Sequence, residues 1–158
     1  MKNLYLKNIK KLSVFLLFFA ILGVHNAGIY SSDDNEWTEY EASPMITIEE
    51  AKSITTWENT PGSLLTYFYA SKIRGDQDWK KVLPPENQWS ERLIRKLQKM
   101  EKWKFVKFQL IAIENNKTDK RYVKIFIQIE INGRVDGGKD EATVEKIDGK
   151  WVIVSVPT

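Results

Sequence analysis

The chain has 158 residues, 42% of them hydrophobic and 28% charged, with a formal net charge of +3, no cysteine and a single histidine, His25. The lack of cysteine excludes disulfides, thiol nucleophiles, thiolate metal ligands and a lipid-modified amino-terminal cysteine. If the segment that contains His25 is removed, zinc sites with imidazole ligands and Ser-His-Asp triads are excluded as well.

Residues 1–27 have the pattern of a secretory signal peptide. Four lysines precede a low-polarity run of 13 residues, 12–24, and a small residue follows at Ala27. This run is shorter than the roughly 20 residues that a membrane span needs. We expect cleavage near Ala27; Gly23 is a second candidate, because cleavage after Ala27 places His25 where a small residue is preferred. The protein is then secreted or periplasmic, without a stable membrane anchor, whereas an uncleaved anchor is the alternative.

The positive net charge belongs to this leader. Four of the 24 basic residues and none of the 21 acidic residues lie there, so the remaining chain has a net charge of −1 and gives no reason to expect a nucleic-acid partner. Residues 33–58 hold eight acids and one base. Residues 28–56 are therefore predicted to be an acidic linker, either a solvated tether or a segment that folds back over the basic part.

A helix is predicted to begin at Thr60. Thr60 is a suitable N-cap, Pro61 suits the first helical position, and Gly75 suits the helix end. Before it, residues 45–57 are ambiguous, because a short helix could start at 49–53 but β-branched residues surround it. The predicted helix has an apolar face formed by Leu64, Leu65 and Phe68.

Two further helices are predicted before residue 104. Asp76 can cap a short one that ends at Pro84, and Ser90 can cap another that extends to about Trp103. The last helix has a charged outer face, which is typical of a solvated surface. Its buried stripe is formed by Leu93, Ile94, Leu97 and Met100.

The rest of the chain is predicted to form an antiparallel sheet. In residues 121–131, valine and isoleucine alternate with polar residues and Phe126, so that one face packs and the other meets solvent or a partner. Residues 105–113, 142–147 and 151–156 are the other strands. Asn132-Gly133 and Gly137-Gly138 are predicted to lie in the connection after residue 131, and Asp148-Gly149 is a strong hairpin turn. Helices followed by a strand meander predict an α+β fold, with helices packed on a curved antiparallel sheet.

The order of elements resembles a known superfamily. A capped helix leads into Phe-Tyr-Ala-Ser-Lys, then Gly75-Asp76 and Trp79, and the closing hairpin over residues 144–154 reads Val-Glu-Lys-Ile-Asp-Gly-Lys-Trp-Val-Ile-Val. On these motifs the chain resembles exported bacterial domains of the nuclear transport factor 2-like superfamily, including lumazine-binding-like and uncharacterised members. The resemblance implies a cone-shaped domain over residues 57–158, usually with a pocket, that homodimerises through the sheet.

The leading functional hypothesis is an exported, non-catalytic domain that binds a small apolar ligand or a protein partner, with no cofactor and no metal. Aromatic side chains around the cone mouth would form the site, although core packing is their usual role. Phe126 is distinctive because an exposed phenylalanine on a sheet is either covered or part of an interface, such as that of a homodimer. The candidate binding residues are Tyr67, Tyr69, Trp79, Trp89 and Phe126.

An isomerase- or hydratase-type enzyme is the alternative. It would need a carboxylate base in the pocket and a tyrosine donor, Tyr67 or Tyr69. Asp78 is the acid that deserves testing, although it could simply support a helix amino terminus. An inward acid that touches a tyrosine in a sizeable pocket would favour the enzyme, whereas a filled interior would favour binding or scaffolding. An accessory protein recognised through its surface is a third hypothesis.

Overall fold

A five-stranded antiparallel sheet forms one layer of the domain. The computed structural model describes residues 37–39, 43–115 and 118–157. The predicted signal peptide and its cleavage site therefore lie outside the described residues. Within those ranges no helix is long and apolar enough to cross a membrane. The strands lie side by side in chain order: β1 (Trp37–Glu39), β2 (Lys104–Glu114), β3 (Lys120–Ile131), β4 (Arg134–Ile147) and β5 (Lys150–Ser155).

The described part of the chain also contains three α-helices: α1 (Ile48–Ser53), α2 (Pro61–Arg74) and α3 (Glu91–Met100). The predicted caps are present, since the Thr60 hydroxyl accepts the Ser63 N–H (3.3 Å) and the Ser90 hydroxyl accepts the Leu93 N–H (3.1 Å). The short middle helix predicted to end at Pro84 is a 3₁₀ helix, Asp78–Val82, and a separate 3₁₀ turn, Glu86–Gln88, follows it.

The core lies between α2 and the inner face of the sheet. Leu64, Leu65, Phe68 and Tyr69 of α2 are at most 1% exposed, and the Tyr69 ring is stacked on Phe108 of β2 with 4.5 Å between centroids. Helices on one face of an antiparallel sheet are an α+β architecture, so the predicted fold class is confirmed.

Part of the predicted linker belongs to the folded domain. Ile46 is buried and forms two backbone hydrogen bonds with Phe108, at 2.7 and 3.0 Å. Ala51 of α1 is fully buried, and the Arg74 guanidinium donates to its carbonyl at 2.7 Å. The domain therefore starts before residue 57. The sequence does not predict this start, because the two buried apolar residues of this acidic stretch, Ile46 and Ala51, form no periodic pattern.

The hairpin of β3 and β4 is longer than the sequence indicates. β4 begins at Arg134 rather than at residue 142, and Gly137 and Gly138, predicted as a connection, lie inside it. The turn is Asn132-Gly133, where both residues have positive φ (52° and 76°) as a two-residue hairpin requires. Residues 134–141, which belong to β4, are exposed. The end of this hairpin therefore extends beyond the part of the sheet that the helices cover.

Candidate ligand-binding cleft

The inner face of β3 becomes less covered towards its carboxyl end. Val123 and Ile125 are fully buried, Ile127 is 8% exposed, and Ile129 and Ile131 are half-buried. All five side chains belong to the same face, because they alternate along the strand. An apolar stripe thus continues beyond the part of the sheet that the helices cover.

A cleft of about 350 Å³ lies over the uncovered part of this stripe, and we call it the Trp103 cleft. Trp103 follows α3, is half-buried, and has its ring centroid 6.1 Å from that of Phe105. Gly138 is paired with Ile127, and a Cβ placed on it would have no atom within 4 Å, so the cleft has free space at this position. The cleft is lined by Lys99, Trp103, Ile127, Ile129, Ile131 and residues 136–140.

The rim of the Trp103 cleft carries charges of both signs. The Lys99 ammonium lies 5.8 Å from the centroid of the Trp103 ring, within range of a cation–π contact. Asp136 and Asp140, on the same face of β4 as Gly138, lie on the opposite rim. An apolar floor with a few polar groups at the edge is the usual composition of a site for a small, mainly apolar ligand.

Tyr69 lies near this cleft but does not line it. Its side chain is fully buried, and its hydroxyl has no hydrogen-bond partner among the described residues. Burial raises the pKa of Tyr69 well above its ordinary value, and the negative charge of Asp140, a rim residue, adds to this. The phenol therefore stays neutral and remains a potential donor in the core.

Tyr67 and the acid Asp78 meet, as the enzyme hypothesis requires. Burial raises the pKa of Tyr67, and the nearby negative charge of Asp78 raises it further. The Tyr67 ring also contacts Trp57, with 4.5 Å between centroids. Four clefts of about 300–540 Å³ lie on the surface of the described residues, and neither Tyr67 nor Asp78 lines any of them.

Trp79 and Trp89 have packing contacts that account for their positions. Trp79 is 3% exposed, and the Lys72 ammonium lies 3.8 Å from its ring centroid. Trp89 is half-buried against the core, and its indole N–H donates to the Pro84 carbonyl at 2.7 Å. Both rings are thus fixed within the helical layer and line none of the four clefts.

Phe126 lies on the other face of the sheet, where it is half-buried. Its ring tip lies 3.2 Å from the position that a Cβ on Gly137 would take, so the ring lies across this glycine. With Met45 and Ile111 it lines a shallow outer cleft of about 300 Å³. The structure therefore does not bring the five predicted binding residues to one site.

Trp103 and the end of the isoleucine stripe are the site residues that the sequence did not single out. The stripe itself is visible as an alternation, but its uncovered end depends on where the helices stop. No three acidic side chains in the described ranges are close enough together to hold a metal ion.

Comparison with known proteins assigns no family to this chain. Neither a family model nor a curated protein matches the chain. Among solved structures, the chain is similar to the solution structure of a SEC-C motif containing protein from Rhodopseudomonas palustris, with a TM-score of 0.49 and 15% identity over 70% of this chain and 90% of that chain.

The assignment to the nuclear transport factor 2-like superfamily was wrong. The similar solved structure reported above is of a SEC-C motif containing protein and not of a member of that superfamily. The motifs behind the assignment, a capped helix and a closing Gly-Lys-Trp hairpin, are compatible with many α+β domains. A likeness at this TM-score and identity carries nothing about the function of this chain.

Proposed function

We propose that this protein is an exported, non-catalytic domain that binds a small, mainly apolar molecule in the Trp103 cleft. The observation that supports this is the apolar stripe of Ile127, Ile129 and Ile131, whose cover decreases towards Ile131 and which lines a cleft of about 350 Å³ together with Trp103. Half-exposed large apolar side chains around one concavity are typical of binding sites.

The size of the cleft suggests modest affinity. Each methylene group that a ligand buries contributes about 0.8 kcal/mol, so a ligand that buries eight of them gains roughly 6 kcal/mol. Loss of translational and rotational freedom offsets part of this gain. We therefore expect dissociation constants of roughly 0.1 to 1 mM for simple apolar probes.

The arrangement of the tyrosines favours binding over isomerase or hydratase chemistry. Such an enzyme needs an acid and a tyrosine at the same cavity. Tyr67 and Asp78 meet away from the four clefts, and the Tyr69 hydroxyl is enclosed. In none of these four clefts would a substrate contact both Asp78 and one of these two tyrosines.

Titration with indole tests the binding site. Ile129→Asp places a charge on the floor of the Trp103 cleft, and we expect it to weaken indole binding by about tenfold or more. The measurement is the shift of the Trp103 indole N–H resonance in heteronuclear NMR spectra. Ile48→Asp is the matched control, because Ile48 is 45% exposed on α1 and lines none of the four clefts. Equal affinity of wild type and Ile129→Asp would contradict the proposal.

Export is tested separately by amino-terminal sequencing of the protein from its natural host. We expect the mature chain to begin after Ala27 or after Gly23. Intact protein with Met1 in the cytosolic fraction would contradict export and leave the binding proposal unaffected. Native mass spectrometry of the same material would show whether a ligand is retained.

A further inference from the structure

Lys72 of α2 holds its ammonium group against two aromatic rings of the core. The nitrogen lies 3.8 Å from the centroid of the Trp79 ring and 5.9 Å from that of Phe68. Among the described residues it has neither a hydrogen-bond acceptor nor a carboxylate within ion-pair distance. The side chain is half-buried, but its nitrogen is not enclosed, so small solutes can reach it.

Two charged residues on other elements influence Lys72. The Lys80 ammonium lies 5.6 Å from the centroid of the Trp79 ring, so two ammonium groups share one ring. Glu101, which follows α3, has the opposite charge. Burial lowers the pKa of Lys72 to about 8, and Lys80 lowers it further, whereas Glu101 opposes this effect. Desolvation and a neighbouring cation are the two usual ways in which a protein activates a lysine as a nucleophile.

The surroundings of Lys72 restrict the size of what can react with it. At pH 7.5 about a quarter of Lys72 is neutral, compared with about one thousandth of a lysine whose pKa is 10.5. Lys72 lines none of the four clefts, so a reactant has to reach the nitrogen without a binding cavity. Carbon dioxide is an electrophile that is small and apolar enough for this position.

We propose that Lys72 is a site of reversible modification by carbon dioxide, which converts its amine into a carbamate. The lone pair of the neutral Nζ attacks the carbon and forms the C–N bond. One π pair of carbon dioxide moves onto its oxygen, and the nitrogen releases a proton to water. The product has a negative charge, so Lys80, which repels the ammonium, attracts the carbamate, and Glu101 repels it. The charge of Lys80 therefore favours the modified form at both stages.

Carbon-13 NMR of the whole protein with ¹³C-labelled bicarbonate at pH 7.5 tests this proposal. We expect a carbamate carbon signal that is lost in Lys72→Arg. Lys52→Arg is the matched control, because Lys52 is an exposed lysine that pairs with Glu49, and it should leave the carbamate spectrum unchanged. A free α-amino group, with an ordinary pKa of about 7.7–8.0, gives its own signal, which should persist in both variants.

Two variants of exposed residues test the role of the neighbouring charges. We expect Lys80→Ala to lower the occupancy of the Lys72 carbamate about twofold or more and Glu101→Gln to raise it by a similar factor. Each substitution acts on the amine and on the carbamate in the same direction, and a merely structural role of Lys72 would not produce opposite changes.

The proposal is overturned if Lys72→Arg retains the whole carbamate spectrum of wild type. It is also overturned if Lys80→Ala and Glu101→Gln do not change the signal in opposite directions. If Lys72→Arg does not fold, the comparison of these two variants with wild type decides alone, since both residues are exposed.

Discussion

The Tyr69 hydroxyl is buried in the core without a hydrogen-bond partner among the described residues, although its ring is stacked on Phe108. Leaving a buried donor unpaired costs roughly 1–3 kcal/mol. Tyr69→Phe removes the hydroxyl and keeps the ring. We therefore expect the free energy of unfolding to rise by about 1 kcal/mol, as measured by urea denaturation.

Tyr67→Phe is the matched control for this prediction. Tyr67 lies two residues away on the same helix, but its hydroxyl lies near the charge of Asp78 and is not buried without a partner. Its removal should leave the free energy of unfolding unchanged or lower it by about 1 kcal/mol. A loss of stability in Tyr69→Phe would contradict the prediction, because it would mean that the hydroxyl is satisfied, for example by an internal water.

The surroundings of Lys72 disfavour the charged form of its side chain. Burial lowers its pKa from 10.5 to about 8, although the ammonium lies over the Trp79 ring. Between these two pH values the unfolded lysine keeps a proton that the folded one has lost, so stability rises with pH across this window. Lys72→Met lacks this group. We expect the stability of wild type relative to Lys72→Met to increase from pH 8 to pH 10.5 in urea titrations; a flat difference would contradict the low pKa.

At the level of secondary structure elements, strong local signals in the sequence predicted the structure well. The caps at Thr60 and Ser90 and the turn at Asp148-Gly149 depend on residues within a few positions, and all are present. Gly137 of β4 was misread because its role is tertiary: it leaves room for the Phe126 ring on the neighbouring strand. A glycine in a strand often marks such a close approach, but the sequence does not reveal the partner.

The candidate site was harder to predict, because it too depends on contacts between residues that are distant in the sequence. Alternation along β3 identified its inner face correctly, but the exposed end at Ile129 and Ile131 depends on where α3 stops and where Trp103 packs. The predicted residues Tyr67, Tyr69 and Trp79 are large aromatics of the helical layer, and burial is their usual role. Composition alone could not separate aromatics of the core from aromatics of a cleft.

The contribution of the segment before residue 57 can be tested by comparing its two isoleucines, Ile46 and Ile48. Ile46 is 7% exposed and pairs with Phe108, which protects the edge of β2, whereas Ile48 is 45% exposed. We expect Ile46→Ala to lower the free energy of unfolding by about 2 kcal/mol, as for other buried isoleucines, and Ile48→Ala by less than about 0.5 kcal/mol. Urea denaturation of both variants measures this. Equal, small losses would mean that residues 43–56 behave as a linker after all.

At the scale of the whole molecule, the two faces of the sheet have different surroundings. The inner face is covered by helices over most of its length, and the uncovered remainder lines the Trp103 cleft. The outer face combines charged pairs such as Lys120 with Glu145 and an apolar patch at Met45, Ile111 and Phe126. A patch with charges around it is compatible with reversible association, which needs both apolar burial and a polar rim.

Homodimerisation through this outer face stays a prediction, and Phe126 tests it. Gly137 accommodates part of the Phe126 ring, but the remaining surface of the ring lines the outer cleft with Met45 and Ile111. Phe126→Glu would place a charge in the middle of a self-complementary contact, because the same patch meets itself in a two-fold dimer. We expect wild type to show concentration-dependent mass in sedimentation equilibrium and Phe126→Glu to remain monomeric. Gln128→Glu, on the same face of β3, adds the same charge without removing the ring and should associate nearly as well as wild type. If Phe126→Glu and wild type have the same mass at every concentration, the outer face is not the dimer interface, and its aromatic ring serves to cover Gly137.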